Sequence, residues 1–129
     1  MKLFDPLMRL MVRFRYPVSL PEDIASDLGI PLTNRISFDE ILQVLTRPPT
    51  PLTKLIRFMP REEAEWHFKT ALRKEFFSHN SLFSYYFSEG WVEFLLQYDD
   101  HSRLRRVYVR HKSLKRNCEI PISQSTKTL

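Results

Sequence analysis

The residues whose types most clearly indicate a function lie between His101 and Arg116, in the most basic part of the chain. This stretch contains seven Lys or Arg side chains and no Asp or Glu. Cations supply affinity for phosphate groups, and the interleaved Tyr and His rings are of the kind that stack on bases. The stretch therefore predicts binding of RNA or DNA. The candidate nucleic-acid-binding residues are Arg103, Arg105, Arg106, Tyr108, Arg110, Lys112, Lys115 and Arg116.

A solvated sheet edge would have the same composition. Charged side chains on an edge strand prevent it from pairing with other chains, and such a strand needs no nucleic-acid partner. If five of the cations met phosphates of a single strand, log K would fall with log salt at a slope of roughly −3 to −4. The salt dependence of binding therefore distinguishes a binding strand from a merely solvated one.

A second use of the same residues is catalytic. The segment Phe94–Lys112, FLLQYDDHSRLRRVYVRHK, resembles the closing hairpin of the RelE-like ribonuclease toxins. In those toxins, basic and Tyr or His side chains on a sheet cleave RNA without metal, by positioning and proton transfer. The resemblance implies catalytic candidates at Tyr98, Arg106, Tyr108 and His111. The helical N-terminal half predicted below departs from the toxin pattern.

Other residue types exclude several classes of site. A phosphate-binding loop needs several glycines close together, whereas this chain has only Gly29 and Gly90. The single cysteine, Cys118, forms neither an internal disulfide nor a Cys-based zinc cluster, which is typical of a reducing compartment. The four histidines lack the spacing of metal ligands. We therefore expect no cofactor and no metal, and the sequence favours a binding module over an enzyme.

The overall composition indicates a basic globular domain. The 129 residues carry a formal net charge of +5, and a basic balance favours acidic partners. Their length and 43% hydrophobic content are typical of one domain with a real core. No apolar run approaches the roughly 20 residues that span a bilayer. Because Arg9, Arg13 and Arg15 interrupt the apolar N-terminus, we expect no secretory signal and a cytoplasmic location.

The basic stretch is expected to include the last strand of a three-stranded antiparallel meander. Three runs rich in aromatic and β-branched residues, Leu82–Phe87, Trp91–Tyr98 and Leu104–Arg110, are separated by short polar links. Neither face of the third run is cleanly apolar, which predicts a sheet edge or a surface for an anionic partner. Ile120–Ile122 can add a further edge segment before a polar tail.

The N-terminal part is expected to be helical. Met1–Tyr16 contains a basic amphipathic helix, and Pro21–Leu28 forms a second helix that Gly29 ends. The capping box Ser37–Glu40 predicts that the next helix begins at about Phe38.

Residues Ile24–Ile30 resemble the first helix and turn of a helix-turn-helix motif. The following helix opens with Asp39 and Glu40, which would repel phosphate. A pair of core helices is therefore favoured, and a DNA-reading motif is the alternative.

The longest helix is predicted over Pro60–Phe77. Acidic residues fill its first turns and Arg73 and Lys74 its last, as the helix dipole favours. Its apolar stripe consists of Ala64, Phe68, Ala71, Leu72 and Phe76. We expect this helix to pack on one face of the meander.

Together these patterns predict a single α+β domain, with a helical N-terminal part followed by a three-stranded antiparallel meander packed against one long helix. Its parts are a helical region 1–46, a Pro-rich connector 47–60, a helix plus antiparallel sheet 60–122 and a polar tail 123–129. The first functional interpretation is a small basic module that binds RNA or DNA. The alternative is a protein-interaction adaptor or homodimer that uses the aromatic sheet face and the N-terminal helix, with an acidic protein as one class of partner. A metal-independent ribonuclease is the third.

Overall fold

The computed structural model describes residues 18–31, 35–47 and 52–124. Two helices, α1 (Pro21–Leu28) and α2 (Phe38–Thr46), precede strand β1 (Leu52–Ile56) and the short helix α3 (Arg61–Trp66). Within the described residues six strands follow, which are β2 (Arg73–Phe76), β3 (Asn80–Phe87), β4 (Gly90–Tyr98), β5 (Leu104–Arg110), β6 (Cys118–Ile120) and β7 (Ile122–Ser123). The helix predicted within Met1–Tyr16 lies outside the described residues.

Five of the strands form one antiparallel sheet in the order β2-β3-β4-β5-β6, and β1 pairs with β7 in a parallel two-stranded sheet. The longest pairing joins β3 to β4, from Asn80 opposite Gln97 to Phe87 opposite Gly90. Gly90 closes this hairpin with a φ of 114°, a conformation that favours glycine. The predicted meander is confirmed as the three central strands of the larger sheet.

The predicted fold class is wrong, and the helix expected over Pro60–Phe77 is the main error. Helix α3 ends at Trp66, and the residues expected to finish the long helix form β2, which pairs with β3. Phe68 stacks on Phe83 with ring centroids 4.7 Å apart, and Phe76 meets the same ring edge-on at 6.0 Å. Two members of the predicted helical stripe therefore contact one ring, one of them from a turn and the other from a strand.

Helix α3 cannot continue because the chain is held at Thr70. The backbone N–H of Thr70 donates to Asp27 Oδ2 at 3.0 Å, and the Thr70 hydroxyl donates to the same oxygen. In a continued helix that N–H would bond the carbonyl of Trp66. Asp27 is 1% exposed and belongs to α1, 43 residues earlier in the chain. A contact over that separation has no local sequence signature.

Helices α1 and α2 form where the sequence predicts them. Gly29 ends α1 in the left-handed region, with a φ of 74°. At the start of α2, Ser37 Oγ accepts from the N–H of Glu40 at 3.1 Å, and the N–H of Ser37 donates to the Glu40 carboxylate at 2.9 Å. The two helices contact each other and contribute buried residues to the common core. The predicted pair of core helices is confirmed.

The core lies on one face of the five-stranded sheet. Phe94, Leu96 and Val107 are fully buried there, together with Leu45 of α2 and Leu55 of β1. Strand β1 lies within the predicted Pro-rich connector 47–60 and pairs with β7, so the later part of that connector belongs to the folded core. Ser123, where the polar tail was expected to begin, is part of β7.

Candidate nucleic-acid interface

The strand that carries the predicted site lies inside the sheet. Strand β5 is hydrogen-bonded to β4 on one side and to β6 on the other, with Val107 opposite Ile120 and Val109 opposite Cys118. The expectation that this strand forms a sheet edge is therefore wrong, because the short segment at Cys118–Ile120 returns and covers it. The basic side chains of β5 do not protect an open edge and belong instead to a sheet face.

A β-bulge explains why the sequence of β5 does not alternate cleanly. Gln97 pairs with Arg106 and Tyr98 pairs with Leu104, which leaves Arg105 as an extra residue. Because of this extra residue, Leu104 and Val107 are both fully buried although three positions separate them, and Arg105 and Arg106 are both exposed. The bulge thus directs the apolar side chains to the core and the cations to solvent.

Three of the predicted cations have acidic or phenolic neighbours. The guanidinium of Arg110 lies 2.7 Å from the carboxylate of Glu93, its opposite residue on β4. Arg103 lies 3.1 Å from Asp99 in an ion pair that spans the turn between β4 and β5. The interaction with Tyr108 raises the pKa of Arg106, and the negative charge of Glu119 adds to the effect. An arginine that already pairs with a carboxylate binds a phosphate more weakly, because the phosphate must first displace that carboxylate.

The remaining four predicted cations are Arg105, Lys112, Lys115 and Arg116. All four are exposed, and none of them forms an ion pair with another residue of the described ranges. Arg105 lies in the bulge, and the other three lie in the segment 111–117 between β5 and β6, which we call the basic loop. The uncompensated positive charge is therefore concentrated beyond the end of β5.

The basic loop is anchored by His111. This side chain is 5% exposed, and its ring centroid lies 5.1 Å from that of Phe38. Its Nε2 lies 2.8 Å from the carbonyl oxygen of Glu89, and its Nδ1 accepts from the N–H of Ser113 at 3.1 Å. A carbonyl can only accept, so Nε2 carries the proton in this arrangement. His111 thus fixes the start of the loop on the β3–β4 turn.

A shallow groove of about 410 Å³ lies beside the basic loop. It is lined by Gly90, Trp91, Glu93, Arg110, His111 and Lys112. The Lys112 side chain runs so close to Gly90 that an added Cβ there would lie 3.3 Å from Lys112 Cε. The groove joins the start of β4 to the end of β5 and brings two of the predicted cations together. Sequence reasoning missed Trp91 and Glu93 as neighbours of these cations because their proximity depends on strand register.

No protein-family model, curated protein or solved structure matches this chain. In the ranges 18–31, 35–47 and 52–124, no three His, Cys, Asp or Glu side chains come together as a metal site would require. Among those same residues, no helix is long and apolar enough to cross a membrane.

The structure does not bring together the four residues that the ribonuclease resemblance implies. Tyr98 is 5% exposed, and burial raises the pKa of its phenol well above the usual range. Its hydroxyl is 3.1 Å from Ser81 Oγ, among core-facing groups. Arg106 and Tyr108 lie on the opposite, solvent-facing side of the sheet, and His111 is buried. A proton-transfer site needs its groups within hydrogen-bond reach of one substrate, and this arrangement separates them.

Tyr98 instead belongs to a polar network that the sequence did not reveal. Arg61 of α3 forms an ion pair with Glu65 at 2.9 Å, and its guanidinium carbon lies 4.5 Å from the centre of the Tyr98 ring. Ser81 Oγ donates to the same carboxylate. Arg61 also donates to the carbonyl of Phe77 at 2.7 Å. The network therefore fastens α3 to the β2–β3 turn, which is a structural role.

Proposed function

We propose that this chain is a small nucleic-acid-binding module that contacts phosphates mainly through the basic loop. The observation that supports the proposal most directly is that the cations of the loop lack ion-pair partners among the described residues. These cations, Lys112, Lys115 and Arg116, are exposed and form no ion pair within the described part of the chain. A phosphate can therefore bind them without first displacing a carboxylate.

The anchoring of the loop supports the same proposal. His111 is buried and held at both ring nitrogens, and the N–H of Leu114 donates to the His111 carbonyl at 2.9 Å. A loop fixed in this way loses less conformational freedom on binding than a flexible tail with the same charges.

The spacing of the cations sets the size of the binding site. Arg105 and Lys112 are seven positions apart, which corresponds to about 23 Å along a strand. Phosphates of one strand of duplex nucleic acid follow one another about every 3.4 Å along the axis, so about seven of them fit this length. Binding to all four uncompensated cations predicts a slope of log K against log salt of about −3 for a single strand.

Fluorescence anisotropy with labelled single- and double-stranded RNA and DNA, across a salt series, tests the proposal. The test variant is the double substitution Lys115→Gln with Arg116→Gln, and the matched control is Arg103→Gln with Arg110→Gln. Both remove two positive charges, but only the control removes cations that form ion pairs with Asp99 and Glu93. We expect the loop variant to bind about tenfold more weakly, with a slope closer to zero by roughly 1.4, and the control variant to keep the wild-type slope.

Two results would contradict the proposal. One is the absence of binding at low salt by the folded wild-type chain. The other is an equal loss in both double variants, which would mean that only net charge matters. An acidic protein could bind the same loop. It becomes the favoured partner if the folded wild-type chain does not bind nucleic acid at low salt. The adaptor that uses the Met1–Tyr16 helix depends on residues outside the described ranges.

A further inference from the structure

Strand β2 forms one edge of the five-stranded sheet. Within the described ranges, β3 is its only hydrogen-bonded neighbour. The pairing runs from Arg73 opposite Ser84 to Phe76 opposite Ser81, and the N–H of Phe77 continues it with a 2.8 Å bond to the carbonyl of Asn80. A further strand could therefore extend the sheet along the side of β2 that faces away from β3.

The register decides which backbone groups of β2 point away from the sheet. In an antiparallel ladder, alternate residues bond the same neighbour. Since Phe77 bonds β3, Glu75 and Arg73 also face β3. The N–H and C=O groups of Lys74 and Phe76 therefore point outwards, and each β2 strand presents two donors and two acceptors along its edge.

The side chains at this edge are unusually apolar for an exposed position. Phe76 is 59% exposed and Phe77 is 52% exposed. Natural sheets protect their edges with charges, and Lys74 is such a residue, but neither phenylalanine adds to that protection. Large exposed aromatic rings beside unpaired backbone are typical of a surface that accepts another strand.

We propose that a second copy of this chain pairs antiparallel with β2, so that the two sheets join across a two-fold axis. Such an axis is perpendicular to the sheet and keeps each face on its own side, so opposed residues must belong to the same face. Pairing Lys74 with Phe76 of the second copy, and Phe76 with its Lys74, meets this condition. It also satisfies every outward donor and acceptor at these two positions with four hydrogen bonds.

The side chains of β2 complement their own reversed copy. In this register each Lys74 ammonium lies beside a Phe76 ring of the second copy, an arrangement in which a cation meets an aromatic face. On the other face the two Glu75 side chains are opposed. Each of them lies 3.5 Å from its own Arg73 and diagonally opposite the Arg73 of the second copy. Two carboxylates and two guanidinium groups then form one neutral cluster. This self-complementarity favours a second copy over an unrelated peptide.

The short edge limits the strength of the dimer. Strand β2 has four residues, so the pairing belongs with the small, transient interfaces. We therefore expect a dimer that dissociates on dilution, and the experiment must cover a wide range of concentration.

Sedimentation velocity of the full chain, from low micromolar to near-millimolar concentration, measures the association. Amide hydrogen exchange by NMR at the two ends of this range locates it. We expect the amides of Lys74 and Phe76 to gain protection with concentration, because they face the second copy. The amides of Arg73 and Glu75 already bond β3 and should show the same protection throughout.

Two variants test the backbone contact directly. Lys74→Pro removes the outward N–H and leaves the bonds to β3 intact, and it should weaken the dimer about tenfold or more. Lys74→Ala also removes the ammonium but keeps the N–H, so it is the matched control and should weaken the dimer clearly less than Lys74→Pro. A monomer at every concentration overturns the proposal. So does a dimer in which the Lys74 and Phe76 amides are not protected, a result that needs no variant to fold.

Discussion

The buried carboxylate of Asp27 offers the most direct test of why this chain folds as it does. Its Oδ2 accepts from the Tyr85 hydroxyl at 2.7 Å and from the Thr70 N–H at 3.0 Å. The side chain is 1% exposed, and Tyr85 is fully buried. These bonds connect α1, the turn after α3 and strand β3 of the five-stranded sheet. Their loss should therefore affect the whole domain.

We expect Tyr85→Phe to lower the free energy of unfolding by about 1.5–3 kcal/mol, the usual contribution of a hydrogen bond to a charged group. The ring of Tyr85 meets Phe94 edge-on at 5.6 Å, and phenylalanine preserves that contact. The loss should therefore come from the hydroxyl alone. For a domain of this size the change corresponds to a fall of roughly 5–15 °C in Tm. Urea unfolding followed by circular dichroism measures the free energy, and thermal unfolding followed in the same way measures Tm. Tyr108→Phe, at a half-exposed position, is the control.

A double-mutant cycle with Asp27→Asn separates charge from shape. The amide keeps a hydrogen-bond acceptor but removes the charge, so in that background Tyr85→Phe should cost only about 0.5–1.5 kcal/mol. If Tyr85→Phe costs less than about 0.5 kcal/mol in the wild-type chain, the hydrogen bond from the hydroxyl to Asp27 does not stabilise the fold. An equal cost in both backgrounds would refute the role of the carboxylate charge.

The buried hydroxyl of Tyr85 should also affect how stability changes at high pH. Burial, with the hydrogen bond to Asp27, raises the pKa of Tyr85 far above the value of 10.0 that it has when exposed. A group whose pKa is raised by folding contributes stability below its unfolded pKa and loses it as the pH rises. Unfolding free energy should therefore fall above about pH 10, and Tyr85→Phe should reduce that fall. An unchanged alkaline slope in Tyr85→Phe would argue against this assignment.

Two further predictions concern single side chains. Ser37→Ala removes the cap of α2 and should lower the free energy of unfolding by about 1 kcal/mol, measured by thermal unfolding. Ser88→Ala, in an exposed turn, should change it little. Equal effects of the two substitutions would contradict the capping role. Burial, followed by the positive charge of Lys54, lowers the pKa of His67 below its usual value of 6.5. Its contribution to stability should therefore be present above that pH and lost as the pH falls. His67→Asn should flatten this acid-side loss, measured by urea unfolding between pH 5 and 7.5 on either side of the usual His pKa, and an unchanged profile would exclude His67 as the cause.

The parts of the fold that the sequence predicted correctly depend on neighbouring residues. The capping box at Ser37–Glu40 and the turn at Gly90 act over a few positions, and both form as expected. The break after α3 depends on Asp27, which lies 43 residues before Thr70. The helical spacing of apolar residues was real, but a distant carboxylate and an unpaired edge of β3 determined the outcome.

The candidate site shows the same division between local and distant information. The sequence locates the cations on β5 and the following loop, because composition alone identifies them. It does not predict that Arg110 is paired, since its partner Glu93 lies 17 residues away and meets it only through the β4–β5 register. Nor does it predict the bulge at Arg105. Only the strand register shows that Glu93 pairs with Arg110. This pairing shifts the candidate interface from the strand to the loop.

The pairing of Arg110 with Glu93 leads to a prediction in which a substitution strengthens binding. Glu93→Gln removes the carboxylate 2.7 Å from Arg110 and leaves that guanidinium, in the groove beside Lys112, available to a phosphate. We expect tighter binding and a slope of log K against log salt more negative by about 0.7 on a single strand, the effect of one added phosphate contact. Glu62→Gln makes the same change in net charge on α3 and should leave the slope unchanged. If Glu93→Gln also leaves it unchanged, Arg110 takes no part in the interface.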